Sequence, residues 1–191
     1  MYRVSDYWYR GMLGAVALIS LNHTALAQPL EASLKTEAIA LVQEFAGQLK
    51  PQLQQTIAAG GPMHAIETCA TLAPKIAADL SATSAWSIKR VSNKNRNPAA
   101  APDAWESVAI KTLEQRLANG ADPTSLTHTE LTPQRYRFAK AQVTEPMCLM
   151  CHGQTITPEV KSALTGYYPD DMATGYKAGE IRGIFSLIKE L

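Results

Sequence analysis

This chain is short of charge and of cysteine, and it has little apolar sequence of membrane length. Asp, Glu, Lys and Arg make up only 18% of its 191 residues, and 18 basic residues stand against 17 acidic ones. So balanced a chain lacks the basic field that nucleic-acid binding requires. There are three cysteines, an odd number, so at least one has a role other than a disulfide within the chain. No second C-x-x-C and no H-x-x-x-H occurs, which removes the paired ligands of a structural zinc site. No Ser/His/Asp or paired-carboxylate constellation stands out, and the expectation is a protein that is not an enzyme. Internal repeats and low-complexity tracts are absent too. The length suits one globular domain.

The N-terminus reads as an export signal. Arg3 and Arg10 flank a short polar start, residues 11–21 (GMLGAVALISL) form an apolar run, and Ala25-Leu26-Ala27 is a small-x-small cleavage site. The run is shorter than the roughly 20 apolar residues of a spanning helix. The expected division is a signal peptide over 1–27 and one domain over 28–191, delivered to the periplasm with no membrane segment after cleavage. Cleavage removes two basic residues and one acidic residue and leaves a formally neutral chain. An oxidising compartment favours disulfides, which sharpens the question of what an odd cysteine does.

Residues 31–59 predict a long helix, since Leu34, Ala38, Leu41, Val42, Phe45, Leu49, Leu53 and Ile57 recur at three- and four-residue spacing. Pro51 should kink it, and Gly60-Gly61 should end it. A second helix is expected over about 62–81, with Pro62 near its start. Ile66, Cys69, Ala73, Ile76 and Leu80 share its apolar face, so Cys69 is on the buried side while His64 points elsewhere. Residues 85–92 read as a strand and 103–120 as a helix capped by Asp103, with Glu106 at the capping-box position and Gly120 as its stop. Residues 135–144 predict a strand, and a short helix follows Thr157. In the C-terminal segment Ile181, Ile184, Phe185, Ile188 and Leu191 fit a helix face, although its glycines and β-branched residues also allow a strand.

The most specific signal is EPMCLMCHGQT at 145–155. Cys148, Cys151 and His152 form C-x-x-C-H, the attachment motif of c-type haem. Two thiols three residues apart can each add to one vinyl group of a single porphyrin, and the adjacent imidazole then falls under the iron. A thioredoxin-like pair would need a βαβ context, and no such alternation is apparent. One covalent haem c is therefore expected, with His152 as an iron ligand.

Function then turns on the opposite axial position. Cys69, the unpaired cysteine on an apolar helix face, is one candidate. Met172, twenty residues after His152, is another and would suit an electron carrier. His64, His128 and an open site are the others. Arg90 or Arg96, in the basic segment with Lys89 and Lys94, could meet a haem propionate. Trp105, Tyr168 and Tyr176 could wall a pocket, and Asp170-Asp171 reads as turn chemistry.

AIETCATLAPKIA (65–77), IKRVSNKNRNPAAAPDAWE (88–106), CLMCHG (148–153) and YYPDDMATGYKAGEIRGIFS (167–186) carry a wider likeness. In that order they resemble a bacterial family of exported single-haem domains with a PAS-like fold, found alone and as sensory inputs of membrane signalling proteins. The likeness covers about 35–190. It implies His/Cys axial ligation, with His152 and Cys69 as the metal ligands. It implies an α+β fold, with long N-terminal helices on a PAS-like antiparallel sheet. It also turns the C-terminal segment into a strand. The function expected is a periplasmic monohaem protein, a redox- or gas-responsive sensor that signals to a separate protein partner. The alternative is a small electron-transfer cytochrome c with His/Met or His/His ligation.

Overall fold

The structure is a computed structural model that describes residues 21–191. The first twenty residues of the expected signal peptide lie outside the described residues. No helix among the described residues is long and apolar enough to cross a membrane.

Helix α1 (Leu21–Thr83) runs 63 residues and is broken at Gly61, whose φ of 73° and ψ of −173° are not helical. Only glycine reaches such a backbone without strain. The break falls where the Gly60-Gly61 pair predicted it, and Pro62 opens the second segment. Pro51 leaves the helix continuous. It is exposed, so the carbonyl it deprives of a donor can turn to water.

Strand β1 (Ser87–Val91) follows, then helix α2 (Ala104–Ala118). The capping box of α2 is complete: the Glu106 N–H donates to the Asp103 carboxylate, and the Asp103 N–H donates to the Glu106 carboxylate, each at 2.8 Å. Strands β2 (Thr127–Leu131) and β3 (Arg135–Val143) form a hairpin. The one-turn α3 (Leu149–His152), α4 (Pro158–Tyr167) and strand β4 (Ile181–Glu190) complete the chain. Thr157 caps α4 as its sequence position suggests.

The four strands form one antiparallel sheet in the order β1-β4-β3-β2. The molecule is α+β, with long helical segments laid on a small antiparallel sheet. The C-terminal segment is a central strand, against its helical spacing and in line with the family resemblance. Buried on both faces, it has no polar side to display, so it reads as a near-continuous apolar run.

The two faces carry different cores. Leu34, Ala38, Val42 and Phe45 of α1 pack on Trp86, Tyr136, Phe138, Phe185 and Leu187. Phe45 meets Phe185 edge-on at 5.2 Å, and Trp86 meets Tyr136 edge-on at 6.0 Å. Beyond this aromatic cluster the layers part. On the other face Ala109, Ile110 and Leu113 of α2 pack on Val91, Ala139, Ala141, Ile181 and Ile184. A smaller cluster joins Ile66 of α1 to Val160 and Leu164 of α4, with Cys151 against it.

Candidate functional site

Where α1 and the sheet part, they enclose a cavity of about 980 Å³, at the upper end of the roughly 300–1,000 Å³ typical of ligand pockets. Val42, Phe45 and Leu49 line it from the first segment of α1, and Ile66 and Cys69 from the second. Arg90 of β1, Arg182 and Phe185 of β4, and Cys148, Cys151 and His152 around α3 complete the wall. All four sequence-predicted site residues, Cys69, Cys148, Cys151 and His152, therefore face one cavity. Met172 does not line it and is 51% exposed. His64 is exposed and turned to the Gly60 carbonyl. His128 packs against Trp105 on the α2 side, 5.3 Å between ring centroids.

The cysteine-bearing turn is fixed by local chemistry. Pro146 starts a tight turn that runs into α3, and three-residue spacing sets Cys148 and Cys151 on one side of it. Helix α3 ends at Gly153, whose N–H donates to the Leu149 carbonyl at 2.9 Å. A Cβ on Gly153 would collide with that same oxygen, so the close return of the chain requires glycine. All three cysteines are free thiols.

His152 is held from several sides. Its Nδ1 lies 2.7 Å from the Ala173 carbonyl, and a ring nitrogen facing a carbonyl must carry the proton. Nε2 then keeps the lone pair, the tautomer a metal-bound imidazole needs. The Tyr176 N–H donates to the His152 carbonyl at 3.0 Å, and the Tyr176 ring stands edge-on to the imidazole at 6.5 Å. Burial pushes the imidazole well below its ordinary pKa, Arg182 and Arg96 push the same way, and the Ala173 hydrogen bond opposes them. The ring is neutral.

Arg96 ties this arrangement together. It donates to the Cys151 carbonyl at 2.6 Å and to the Ala173 carbonyl at 3.4 Å, and pairs with Asp171 at 3.0 Å. Asp171 in turn accepts from the Ala173 N–H at 2.8 Å. The ion pair is largely buried, with side chains 13% and 11% exposed. Asp171 is thus more than a turn former: it anchors the guanidinium that anchors the carbonyl that orients His152. Sequence reasoning did not connect these residues, because the link runs through backbone atoms some 20 to 80 positions apart.

Cys69 stands across the cavity. Burial raises its thiol pKa, while Arg90, Arg182 and Arg96 pull it down. Cys151 is likewise raised by burial. Arg182 was not singled out by sequence reasoning. Its signal is a lone cation beside a glycine in the apolar run EIRGIFSLI. Gln142 pairs with Gly183 and Val143 with Ile181, so Arg182 is the extra residue of a β-bulge. Ile184 faces α2, and strict alternation would send Arg182 the same way; the bulge aims it into the cavity instead. The Ser92 hydroxyl donates to the Arg182 carbonyl at 2.6 Å. A Cβ on Gly183 would run into the Val91 carbonyl. Of the aromatic candidates, Tyr168 lines the cavity, Tyr176 buttresses His152, and Trp105, part of α2, packs against the core on the other face of the sheet.

Among the described residues, no three His, Cys, Asp or Glu side chains converge as a site for a bare metal ion. The donors are spread around a space that suits a larger group. Fold and site together define an α+β binding domain whose cavity carries two thiols and an oriented imidazole on one wall and a third thiol on another. The chain belongs to the Tll0287-like family, whose model matches residues 23–189. A solved structure, that of the cyanobacterial heme-protein Tll0287, aligns with a TM-score of 0.64 at 18% identity, covering 81% of this chain and 93% of that one. At that identity the likeness speaks to the fold. No curated protein matches the chain.

Proposed function

We propose that this chain is an exported haem protein holding one haem c, attached through Cys148 and Cys151 and ligated by His152 and Cys69. The single observation that carries the reading is the meeting of all four residues on one cavity wall system, with the His152 Nε2 left free by its Nδ1 hydrogen bond. The residues fit the group. The cavity has the size and apolar lining for a porphyrin, the thiols are unpaired, and the histidine has its outer partner in the Ala173 carbonyl. Family membership, and the haem of the related cyanobacterial protein, support the same reading.

Bound iron would supply reversible electron uptake and exchange of an axial ligand. The protein's part is to orient and to restrain. Arg96 and Asp171 keep Ala173 in place, Ala173 keeps His152 turned inward, and Cys69 stands on a separate helical segment. Were His152 and Cys69 both to hold the iron, no position would be left open for a substrate, which favours a non-catalytic role. Retention or release of Cys69 would shift segment 62–83 and with it the Ile66 contact to α4. This is the behaviour of a redox- or gas-responsive sensor acting on a partner protein in the periplasm. The exposed position of Met172 outside the cavity speaks against the His/Met carrier.

Optical and EPR spectra of the haem protein beside Cys69→Ala test the reading. The wild type should show a low-spin ferric thiolate signature, and the variant should lose it. Unchanged low-spin spectra in Cys69→Ala would remove Cys69 from the iron, and a strongly positive midpoint potential would favour electron transfer over sensing.

A further inference from the structure

Seven cationic side chains line the cavity, and five of them are engaged. Lys50 pairs with Glu145, Lys89 with Glu106, and Arg96 with Asp171. Lys94 donates to the Thr174 carbonyl and Lys140 to the Thr124 carbonyl, each at 2.6 Å. Arg90 and Arg182 have no acid or carbonyl partner among the described residues. The Arg90 guanidinium rests over the Phe45 ring at 5.3 Å, and the Arg182 Nε is buried without an acceptor. Burial and the neighbouring Arg182 push Arg90 down to about 10, and burial lowers Arg182 as well. Two half-buried cations on one cavity wall without counter-charges are unfavourable unless a ligand supplies anions.

We propose, on the haem reading above, that Arg90 and Arg182 hold the two propionate carboxylates of that haem. The charge balance fits. A ferric porphyrin core carries one net positive charge, which a thiolate from Cys69 cancels, and two carboxylates then meet two guanidinium groups. The planar guanidinium fork matches a carboxylate in two parallel hydrogen bonds. The backbone around Arg182 is built for this placement: the bulge turns the side chain inward, Ser92 holds its carbonyl, and Gly183 permits the close approach of β1. Arg96, whose charge is spent on Asp171, is a positioning residue for His152 instead.

The test uses the full haem-loaded protein with Arg90→Leu, Arg182→Leu and, as control, Lys75→Gln, an exposed lysine outside the cavity that pairs with Asp79. Resonance Raman spectra read the propionate bending bands, and a redox titration reads the midpoint potential. Each leucine variant should shift the bands and lower the potential, because a lost cation favours the more positive ferric state. The control should do neither. If a leucine variant fails to fold or to take haem, Arg90→Lys and Arg182→Lys keep the charge and lose the fork, so the bands should still move while the potential changes less. Unmoved bands in both arginine variants overturn the proposal while the haem reading stands. A fall in potential with unmoved bands overturns it too, since the cation then acts only through its field. Absence of covalent haem from the wild-type chain on a denaturing gel overturns both.

Discussion

On the face of the sheet covered by α2, a carboxylate with no exposed surface has a full set of partners. Glu106 accepts from the Ser186 hydroxyl at 2.6 Å, from the Asp103 N–H at 2.8 Å and from Lys89 at 3.1 Å, with Arg137 3.8 Å away. On the face covered by α1, Arg90 and Arg182 are lodged in a cavity with no such partners among the described residues. One sheet thus handles charge withdrawn from the surface in two ways: fully buried at Glu106, half-buried at Arg90 and Arg182. A completed set of hydrogen bonds makes Glu106 part of the architecture, and an incomplete set marks the other face as the place where something binds. Side-chain volume follows the same division. Ala139 and Ala141 let α2 approach closely, while the α1 face is propped open by Tyr136, Phe138 and Phe185 at one end.

The strongest way to break this contrast is to remove the satisfied carboxylate. Glu106→Ala should destabilise the fold by about 3 kcal/mol, because Ser186 is left buried without its acceptor and the helix loses half its capping box. Lys89 is partly exposed and can turn to water. Denaturant unfolding at constant slope measures the loss, and the haem absorption of the folded fraction should not move. Gly183→Ala attacks the other face at its backbone. The new methyl group meets the Val91 carbonyl, so strands β1 and β4 must part, at a cost of about 2 kcal/mol. Here the spectrum should change with the stability, since the bulge that aims Arg182 is disturbed.

The smallest effect is expected at Asp103. Burial alone would raise its carboxyl, but the Glu106 N–H and the Arg137 guanidinium hold it below the usual carboxylate range. A depressed folded pKa stabilises the protein above the unfolded value and ceases to do so as pH falls through the folded one. The contribution should therefore be present at neutral pH and be lost as pH falls through the ordinary carboxylate range and below it. Asp103→Ala should remove about 1 kcal/mol at neutral pH and flatten that slope. Unfolding midpoints measured across this range check both statements.

Elements defined by local chemistry were legible in the sequence. The cap of α2, the glycine break in α1 and strands β1 and β3 stand where their residues predict them. Strand β2 was not predicted, because THTEL offers polar residues at an edge and no burial pattern to read. Strand β4 illustrates the opposite difficulty. Ile181, Ile184, Phe185 and Ile188 satisfy helical spacing only because both faces of the strand are covered, and the bulge at Arg182 shifts the alternation by one residue. The site divides in the same way. C-x-x-C-H announces itself within five residues, and Cys69 could be found by counting cysteines and noting its helix face. The Arg96–Asp171–Ala173 support of His152 is invisible in sequence, because it is assembled from main-chain carbonyls brought together by the loop before β4.

The break at Gly61 has a mechanical consequence. Both segments of α1 roof the cavity, the first through Val42, Phe45 and Leu49 and the second through Ile66 and Cys69. An unbroken helix of this length would set their separation by its bending stiffness. With the ladder of hydrogen bonds interrupted at Gly61, the span of the roof is set by that residue's torsion angles together with the packing of each segment on the sheet. Because the second panel is pinned to the same aromatic core through Ala73, Ile76 and Leu80, the elbow at Gly61 and that shared anchorage together set the height at which Cys69 stands over the cavity, as a bracket holds a shelf.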